Sequence, residues 1–172
     1  FKEQNMSTSE LISKFANISK KARREGLLSL EDDIAEKYSE LEAAGFIPNV
    51  EIPENHLMCN ADKIQLKRAF ENVVSNAVKH NPKKTEIYFN LEEKENYVTI
   101  TLGDTGVGIP NEVSKNIFEP FIVGEISRNN HGSGLGLSIA KKIIEVHGGK
   151  ISLLQDTPLY KTAFEITLPI IK

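Results

Sequence analysis

The sequence predicts a layered α/β domain whose strands run mostly antiparallel. Apolar residues recur at helical spacing in residues 61–80 and again in residues 135–147. Short strand-like segments lie before, between and after these helices, and a polar turn at Asn96 joins two of them as a hairpin. Strands joined by short turns pair antiparallel, and amphipathic helices pack their apolar stripes on such a sheet.

Length and composition restrict the class of protein. The chain has 172 residues and is 40% hydrophobic, which suits one ordinary domain with its own core. Its 21 Lys and Arg against 24 Asp and Glu give a formal charge of −3, so we expect no nucleic-acid partner. A single cysteine, Cys59, excludes an internal disulfide and a cysteine-rich metal site.

The sequence shows neither a long apolar stretch nor a secretory signal peptide. We therefore expect a cytoplasmic domain, whether or not its parent protein is anchored in a membrane. The chain begins at Phe1 rather than Met, so we expect it to be a fragment of a larger protein.

The first sixty residues are predicted to contain two helices. Leu11, Phe15 and Ile18 fall at helical spacing, and Gly26 ends that helix. A second apolar stripe stops at Gly45, and an alternating segment follows it. In chain order we expect a helix over residues 7–24, a short strand over 27–30, a helix from Asp32 or Asp33 to about Ala44, and a strand over 46–52.

The rest of the chain alternates between helices and strands. Leu66, Phe70 and Val73 belong to the apolar stripe of a long helix, and Pro82 lies just beyond its end. The pair Gly148–Gly149 ends the last helix. We expect a helix over residues 61–80, strands over 85–91 and 97–102, a short helical piece near 112–118, a helix over 135–147, and strands over 150–154 and 163–168.

A polar face on the predicted helix 61–80 is the first candidate site. Asn72, Asn76 and Lys79 share one side of this helix at about 100° per residue, roughly 120° round from its apolar stripe. Amide oxygens suit a hard cation such as Mg²⁺, and an ammonium group suits phosphate. An ordinary solvated helix face has the same pattern, so this cluster alone decides nothing.

Two glycine-rich segments are further candidates. Asp104 directly follows a predicted strand, and Gly106 and Gly108 after it let a flat ligand approach the backbone while the carboxylate accepts a hydrogen bond from an amine. Residues 132–137 carry three glycines at the start of a helix, where free backbone N–H groups bind phosphate. Neither segment matches the G-x-G-x-x-G or G-x-x-x-x-G-K-[ST] loops. The alternative for the first segment is a glycine-rich turn with a capping Asp, and the alternative for the second is a flexible loop that leads into a helix.

In this order the three clusters resemble the Bergerat-type ATP-binding domain that sensor histidine kinases share with gyrase, Hsp90 and MutL. Residues 71–81 are similar to the N box, residues 104–109 to the G1 box, residues 118–121 to the F box and residues 132–137 to the G2 box. The sequences of the N and G2 boxes are similar to those of the sensor histidine kinase branch. The resemblance covers about residues 27–172. It implies a two-layer α/β sandwich of the Bergerat ATP-binding type, with a mixed, mostly antiparallel sheet packed on helices.

The same resemblance implies how ATP and Mg²⁺ bind. Asp104 would bind the amino group of adenine, with Thr162 helping through a water. Asn76 would ligate Mg²⁺, Asn72 would assist in catalysis, and Lys79 would reach the phosphates.

Residues 121–133 would form a mobile lid over ATP. Arg128 would contact a phosphate, and Phe118 and Phe121 would anchor the base of the lid. In all, the resemblance assigns nucleotide contacts to Asn76, His80, Asp104, Gly106, Gly108, Ile109, Phe118, Phe121, Arg128, Gly132, Ser133, Gly134, Leu135, Gly136, Leu137 and Thr162.

Some positions depart from the family pattern. ATP-hydrolysing members carry a Glu where this chain has Asn72, and Glu71 lies about 100° away round the helix. Without a base to activate water, we expect slow hydrolysis and transfer to a protein acceptor instead. His80 replaces the usual aromatic residue. Gly103 stands where a larger residue is usual, so we expect a looser strand end there.

The phosphoacceptor is expected outside this chain. The family's acceptor histidine is followed by Asp or Glu, and none of the four histidines here has an acidic residue after it. The resemblance implies an acceptor on the dimerisation domain of a homodimeric parent kinase, and a response regulator as the next partner. Residues 1–26 would be a remnant of the dimerisation helix, and residues 27–172 would be the ATP-binding catalytic domain.

Two other functions stay open. The first is an ATP-hydrolysing clamp of the gyrase, Hsp90 or MutL kind, against which Asn72 counts. The second is a non-catalytic nucleotide-binding module that only binds partners, against which the intact Asp104 and Asn76 count. Residues 22–31 are also similar to a cytoplasmic segment of the flagellar stator protein, over too short a stretch to set the function.

Overall fold

The computed structural model describes residues 37–52, 59–122 and 133–171. In this part of the chain, five strands form one sheet. Three helices begin and end within the described residues. The strands are β1 (Ile47–Glu51), β2 (Glu86–Glu93), β3 (Tyr97–Asp104), β4 (Lys150–Gln155) and β5 (Thr162–Pro169). The helices are α1 (Lys63–His80), α2 (Asn111–Ser114) and α3 (Gly136–Val146), and residues 37–43 are also helical.

The sheet is mixed and mostly antiparallel, as predicted. Its strand order is β1-β2-β3-β5-β4, with β1 parallel to β2 and every other neighbouring pair antiparallel. The predicted hairpin is β2–β3, closed by a hydrogen bond from the Lys94 N–H to the Tyr97 carbonyl at 2.8 Å. Because β3 lies at the centre of the sheet, its last residue has a paired strand on each side.

The hydrophobic core lies between the sheet and the helices. Every second residue of the central strands is buried on the face toward the helices. These strand residues are Ile87, Phe89, Leu91, Val98, Ile100, Leu102, Phe164, Ile166 and Leu168. The helices bury Leu66, Phe70 and Val73 of α1, and Ala140, Ile143 and Ile144 of α3, in the same cluster. The apolar stripe predicted for α1 is therefore the stripe that packs in the hydrophobic core.

The predicted elements agree with the observed ones within one or two residues at most ends. Helix α1 begins after Asp62, whose side chain accepts a hydrogen bond from the Gln65 N–H at 3.0 Å and caps the helix. The short helical piece after Pro110 is shorter than predicted and gives way to turns. The predicted helix over residues 7–24, the strand over 27–30 and the start of the second helix lie outside the described residues.

Gly103 is not a loose point in the sheet, contrary to the expectation. A Cβ atom on Gly103 would lie 2.5 Å from the ring of Tyr160, which covers this position. The Tyr160 ring packs edge-on against Tyr88, with 5.3 Å between their centroids. The space that a larger side chain fills elsewhere is filled here by an aromatic ring from the β4–β5 connection, so glycine is required.

His147 joins the two long helices at the end opposite to Asp104. Its Nε2 accepts a hydrogen bond from the Asp62 N–H at 3.0 Å, and its Nδ1 lies 2.7 Å from the Ile143 carbonyl oxygen. With these two partners, Nδ1 is the donor and Nε2 is the acceptor. The first turn of α1 is thereby fixed to the last turn of α3.

We expect Gly103→Ala to destabilise the domain by about 1–3 kcal/mol, because the added methyl overlaps the Tyr160 ring. Urea unfolding followed by circular dichroism measures this loss. In a Tyr160→Ala background the same methyl has room, so adding Gly103→Ala there should cost much less. Equal costs in the two backgrounds would show that Tyr160 is not what requires glycine.

Candidate functional site

The three polar clusters of the sequence meet at one end of the domain. The C-terminal half of α1 carries Asn72 and Asn76, and α3 begins beside it at Gly136. A Cβ atom on Gly136 would lie 3.7 Å from Asn72 Oδ1, so the two helices are in contact at this point. Strand β3 ends at Asp104, and the loop that follows it reaches the end of α1.

Asp104 is a buried carboxylate at the end of the central strand. Only 5% of the residue is exposed. Burial raises the pKa of its carboxyl group above the ordinary value, while hydrogen bonds from the Gly106 N–H and from the side chain of Asn81 act in the opposite direction. The Gly106 bond measures 2.9 Å. A carboxylate accepts about four hydrogen bonds, so Asp104 can still accept one from a ligand.

Thr162 lies beside Asp104 on the neighbouring strand. The two residues are partners in the β3–β5 register and therefore project to the same face of the sheet. Thr162 is 3% exposed, which makes it one of the few buried polar residues in the described part of the chain. A hydroxyl and a carboxylate thus stand together at the end of two central strands.

Asn81 is a site residue to which the sequence analysis gave no role. Its Nδ2 donates to the Ala77 carbonyl at 3.0 Å, and its Oδ1 accepts from the Val107 N–H at 2.9 Å. A Cβ atom on Gly106 would lie only 1.7 Å from that Oδ1. The sequence offered one signal, because Asn81 directly precedes Pro82 at the C-terminal cap of the helix. The last carbonyl groups of a helix lack donors within it, and an amide side chain can supply one.

The polar face of α1 contains a buried donor without a partner. Asn72 Nδ2 is inaccessible to solvent and has no hydrogen-bond partner among the residues that the structure describes. An unsatisfied buried donor costs about 1–3 kcal/mol, so a group that supplied an acceptor here would recover that cost. Asn76 is half-buried one turn later, and Lys79 is exposed at the end of the helix. All three lie on the face that the spacing predicted.

His80 follows Lys79 at the last residue of α1. Desolvation, followed in size by the positive charge of Lys79, lowers the pKa of the His80 imidazole below its ordinary value. The ring is therefore neutral near pH 7, so a nucleotide phosphate would meet the charge of Lys79 rather than one on His80.

The loop after β3 is held at both of its ends. Gly108 has a φ of +82°, a conformation that favours glycine. The Ile109 carbonyl accepts a hydrogen bond from Gln155 Nε2 at 2.7 Å, which ties the loop to the end of β4. Residues 104–109 therefore form a fixed rim beside Asp104.

The two phenylalanines of the F box differ in their surroundings. Phe118 packs edge-on against Phe164 at 6.0 Å, and Lys141 Nζ lies 5.9 Å from the centre of its ring. Phe121 instead has 74% of its surface exposed and a φ of +64°. Its backbone N–H donates to the Gly134 carbonyl at 2.9 Å. Phe118 is held by its ring, whereas Phe121 is held by its backbone.

The start of α3 presents free backbone donors. The first N–H groups of a helix have no partner within it and attract anions. Gly134, with a φ of +67°, turns the chain into this helix, and Ser133 is exposed just before it. The side chain of Leu137 lies in the hydrophobic core, so its backbone is the part that can reach a ligand. Arg128 and Gly132 lie outside the described residues.

Acidic, histidine and cysteine side chains do not by themselves form a metal site here. In residues 37–52, 59–122 and 133–171, no three such side chains come together as a metal-binding group.

None of the helices in the described part of the chain is long and apolar enough to cross a bilayer.

Comparison with known proteins finds one matching family and several sensor histidine kinases among the similar proteins. Residues 61–172 match the family described as histidine kinase-, DNA gyrase B-, and HSP90-like ATPase. The chain is 36% identical over 138 residues to sensor histidine kinase YcbM of Bacillus subtilis strain 168, covering 79% of this chain and 44% of that protein. It is 33% identical over 110 residues to sensor histidine kinase WalK of the same strain, covering 62% of this chain and 18% of that protein. The chain thus spans less than half the length of either relative.

Solved structures share the fold. The mycobacterial sensor histidine kinase MprB superposes with a TM-score of 0.71 at 26% identity, over 82% of this chain and 95% of that one. The nucleotide-free catalytic domain of histidine kinase ThkA superposes with a TM-score of 0.69 at 28% identity, over 81% and 93%. With the family match, these likenesses account for the mixed sheet. The chain belongs to the histidine kinase-, DNA gyrase B- and HSP90-like ATPase family, in the branch formed by the ATP-binding catalytic domains of sensor histidine kinases.

Proposed function

We propose that this domain binds ATP together with Mg²⁺ and transfers the γ-phosphoryl group to a histidine of a dimerisation and phosphoacceptor domain, for relay to a response regulator. The observation that carries the proposal is that α1 contacts both the loop after β3, through Asn81, and the start of α3, through Asn72. A buried carboxylate at Asp104 and an unpartnered amide at Asn72 flank the same end of the domain, and Asn72 touches the glycine start of α3.

The adenine base suits the end that holds Asp104. An exocyclic amine donates hydrogen bonds, and a carboxylate only accepts them. Burial strengthens such a bond, because water does not compete for the carboxylate. Thr162 stands beside the carboxylate and can bind a ring nitrogen, directly or through a water.

The phosphates suit the other end of the site. The unpartnered Nδ2 of Asn72 can donate to a phosphate oxygen, as can the N–H groups at the start of α3. Lys79 supplies a positive charge at the end of α1. Asn76, one turn from Asn72, would give its amide oxygen to Mg²⁺. When bound, the cation neutralises charge on the phosphates during transfer.

The residues at the site favour transfer over hydrolysis. Asn72 cannot take a proton from water, and Glu71 is exposed on a different side of α1. These two positions count against an ATP-hydrolysing clamp. The buried carboxylate of Asp104, with Gly106 and Gly108 beside it, counts against a module that only binds partners.

The phosphoacceptor is expected on another domain of a homodimeric parent kinase. His147 has hydrogen bonds to Asp62 and Ile143, and His80 lies on α1 itself. Neither is followed by an acidic residue, and the same holds for His56 and His131.

Asp104→Asn should weaken ATP binding by about 10- to 150-fold, the effect of losing a charged hydrogen bond. The fold should remain intact. A carboxyl group with a raised pKa favours folding at low pH and loses that contribution as pH rises through its folded-state pKa. At neutral pH, the neutral amide therefore removes a buried charge. Calorimetry measures the affinity, and thermal unfolding measures the stability.

The matched control for Asp104→Asn is Asp62→Asn at the other end of α1. Asn caps a helix about as well as Asp, so this variant should keep both stability and ATP affinity. Unchanged ATP affinity in Asp104→Asn would refute the adenine assignment.

Asn76→Ala should reduce the enhancement of ATP binding by Mg²⁺ more than it reduces binding in EDTA, because only the metal contact is lost. Calorimetric titrations with and without Mg²⁺ give the ratio of the two affinities. Asn96→Ala, in the exposed β2–β3 turn, is the matched control and should leave the ratio unchanged. A wild-type ratio in Asn76→Ala would place the Mg²⁺ ligand elsewhere.

This chain should bind ATP but not phosphorylate itself on histidine. Incubation with γ-labelled ATP should give no acid-labile, base-stable label, and phosphate release should be slow. The dimerisation domain of the parent kinase, added in trans, should become labelled. Strong labelling at one of the four histidines of the chain would overturn the proposal. Rapid hydrolysis that disappears in Glu71→Gln would favour the clamp ATPases instead.

A further inference from the structure

We propose that Asn81 is a positioning residue that fixes the adenine-binding loop to helix α1, and that it acts on the nucleotide through Asp104. The inference rests on the proposed function, because it assigns a role within the same site. It goes beyond that function by naming the side chain that sets the spacing between the base end and the phosphate end.

The contacts of Asn81 join two segments that are far apart in sequence. Its Nδ2 is bound to the Ala77 carbonyl in the last turn of α1, at 3.0 Å. Its Oδ1 holds the Val107 N–H, 26 residues further along the chain, at 2.9 Å. Its side chain is also hydrogen-bonded to Asp104, whose Oδ1 in turn accepts from the Gly106 N–H at 2.9 Å. One amide thus connects the helix, the loop and the carboxylate.

Packing shows how closely the amide and the loop approach each other. The three atoms nearest to a Cβ on Gly106 would all belong to the Asn81 amide, with Oδ1 at 1.7 Å and Cγ at 2.2 Å. Gly106 has no unusual φ, so its backbone conformation does not by itself require glycine. The requirement comes from Asn81, which occupies the space that a side chain would need.

This linkage matters because one ligand spans both ends of the site. The base end is on the loop after β3, and the phosphate end is on α1 and α3. A ligand that contacts both gains affinity when their separation is already correct in the free protein. Asn81 bonds to the loop and to α1 at once, so it controls this separation.

The test compares ATP with purine riboside triphosphate, which lacks the amino group that Asp104 would bind. Wild-type protein should prefer ATP by about tenfold or more. Asn81→Ala should reduce ATP affinity about 3- to 30-fold and affect the analogue much less, because a displaced loop misplaces the Asp104 carboxylate, whose hydrogen bond only ATP can form. A merely structural role would lower both affinities equally and leave their ratio unchanged. Asn96→Ala is the control and should match wild-type for both nucleotides.

Two further variants keep the test decisive if Asn81→Ala folds poorly. Asn81→Asp retains the acceptor for the Val107 N–H but removes the donors and places a second carboxylate beside Asp104, so the preference for ATP should fall. Gly106→Ala should also lower it, because the methyl collides with the Asn81 amide. Adding Gly106→Ala to Asn81→Ala should cause little further loss, because the obstructing atoms are gone.

The outcomes separate this inference from the proposed function. A wild-type protein without preference for ATP over the analogue would refute the assignment of Asp104 to adenine. A wild-type preference that disappears in Asp104→Asn but persists in Asn81→Ala and Asn81→Asp would refute only the role of Asn81. Equal losses from Gly106→Ala in both backgrounds would refute the contact between Gly106 and Asn81.

Discussion

The burial of one carboxylate at the end of β3 is the constraint on which the site depends. A buried charge is unfavourable unless polar groups surround it. Strand β3 is paired with a strand on each side, so its last residue, Asp104, is shielded from solvent. The carboxylate therefore loses hydration, which is the unfavourable contribution that its surroundings must offset. The Gly106 N–H and the Asn81 amide reduce this cost from the loop side. The pKa of Asp104 nevertheless stays raised, so part of the cost remains for a ligand donor to offset.

The second half of the site depends on how closely α1 and α3 approach each other. At one end the start of α3 lies against Asn72 at Gly136, and at the far end His147 bonds to the backbone of Asp62. Contacts at both ends define how the two helices lie against each other. The free donors of α3 consequently lie beside the polar face of α1, so one phosphate chain can use both.

Sequence patterns predicted the elements of this domain well, because each depends on local periodicity. The stripe of α1, the β2–β3 hairpin and the Asp104 loop all follow from residues close together in the chain. Contacts between distant segments were not predictable. The Tyr160 ring over Gly103, the Asn81 amide over Gly106 and the exposed ring of Phe121 all depend on tertiary packing. A hydrophobic motif residue such as Leu137 can equally serve the core and the site, and sequence alone does not separate the two.

The unpartnered amide of Asn72 connects stability with function. In the free protein, its buried N–H forgoes a hydrogen bond, at a cost of about 1–3 kcal/mol. A phosphate oxygen at this position would accept that hydrogen bond, and the recovered free energy would contribute to binding. The complex would then be more stable than the free domain. A glutamate at the same position would offer an acceptor where the phosphate needs a donor, and would also add a base for water. Under the proposed function, an amide in place of a carboxylate at this position would therefore favour holding the nucleotide and disfavour hydrolysing it, which is what transfer to a separate acceptor requires.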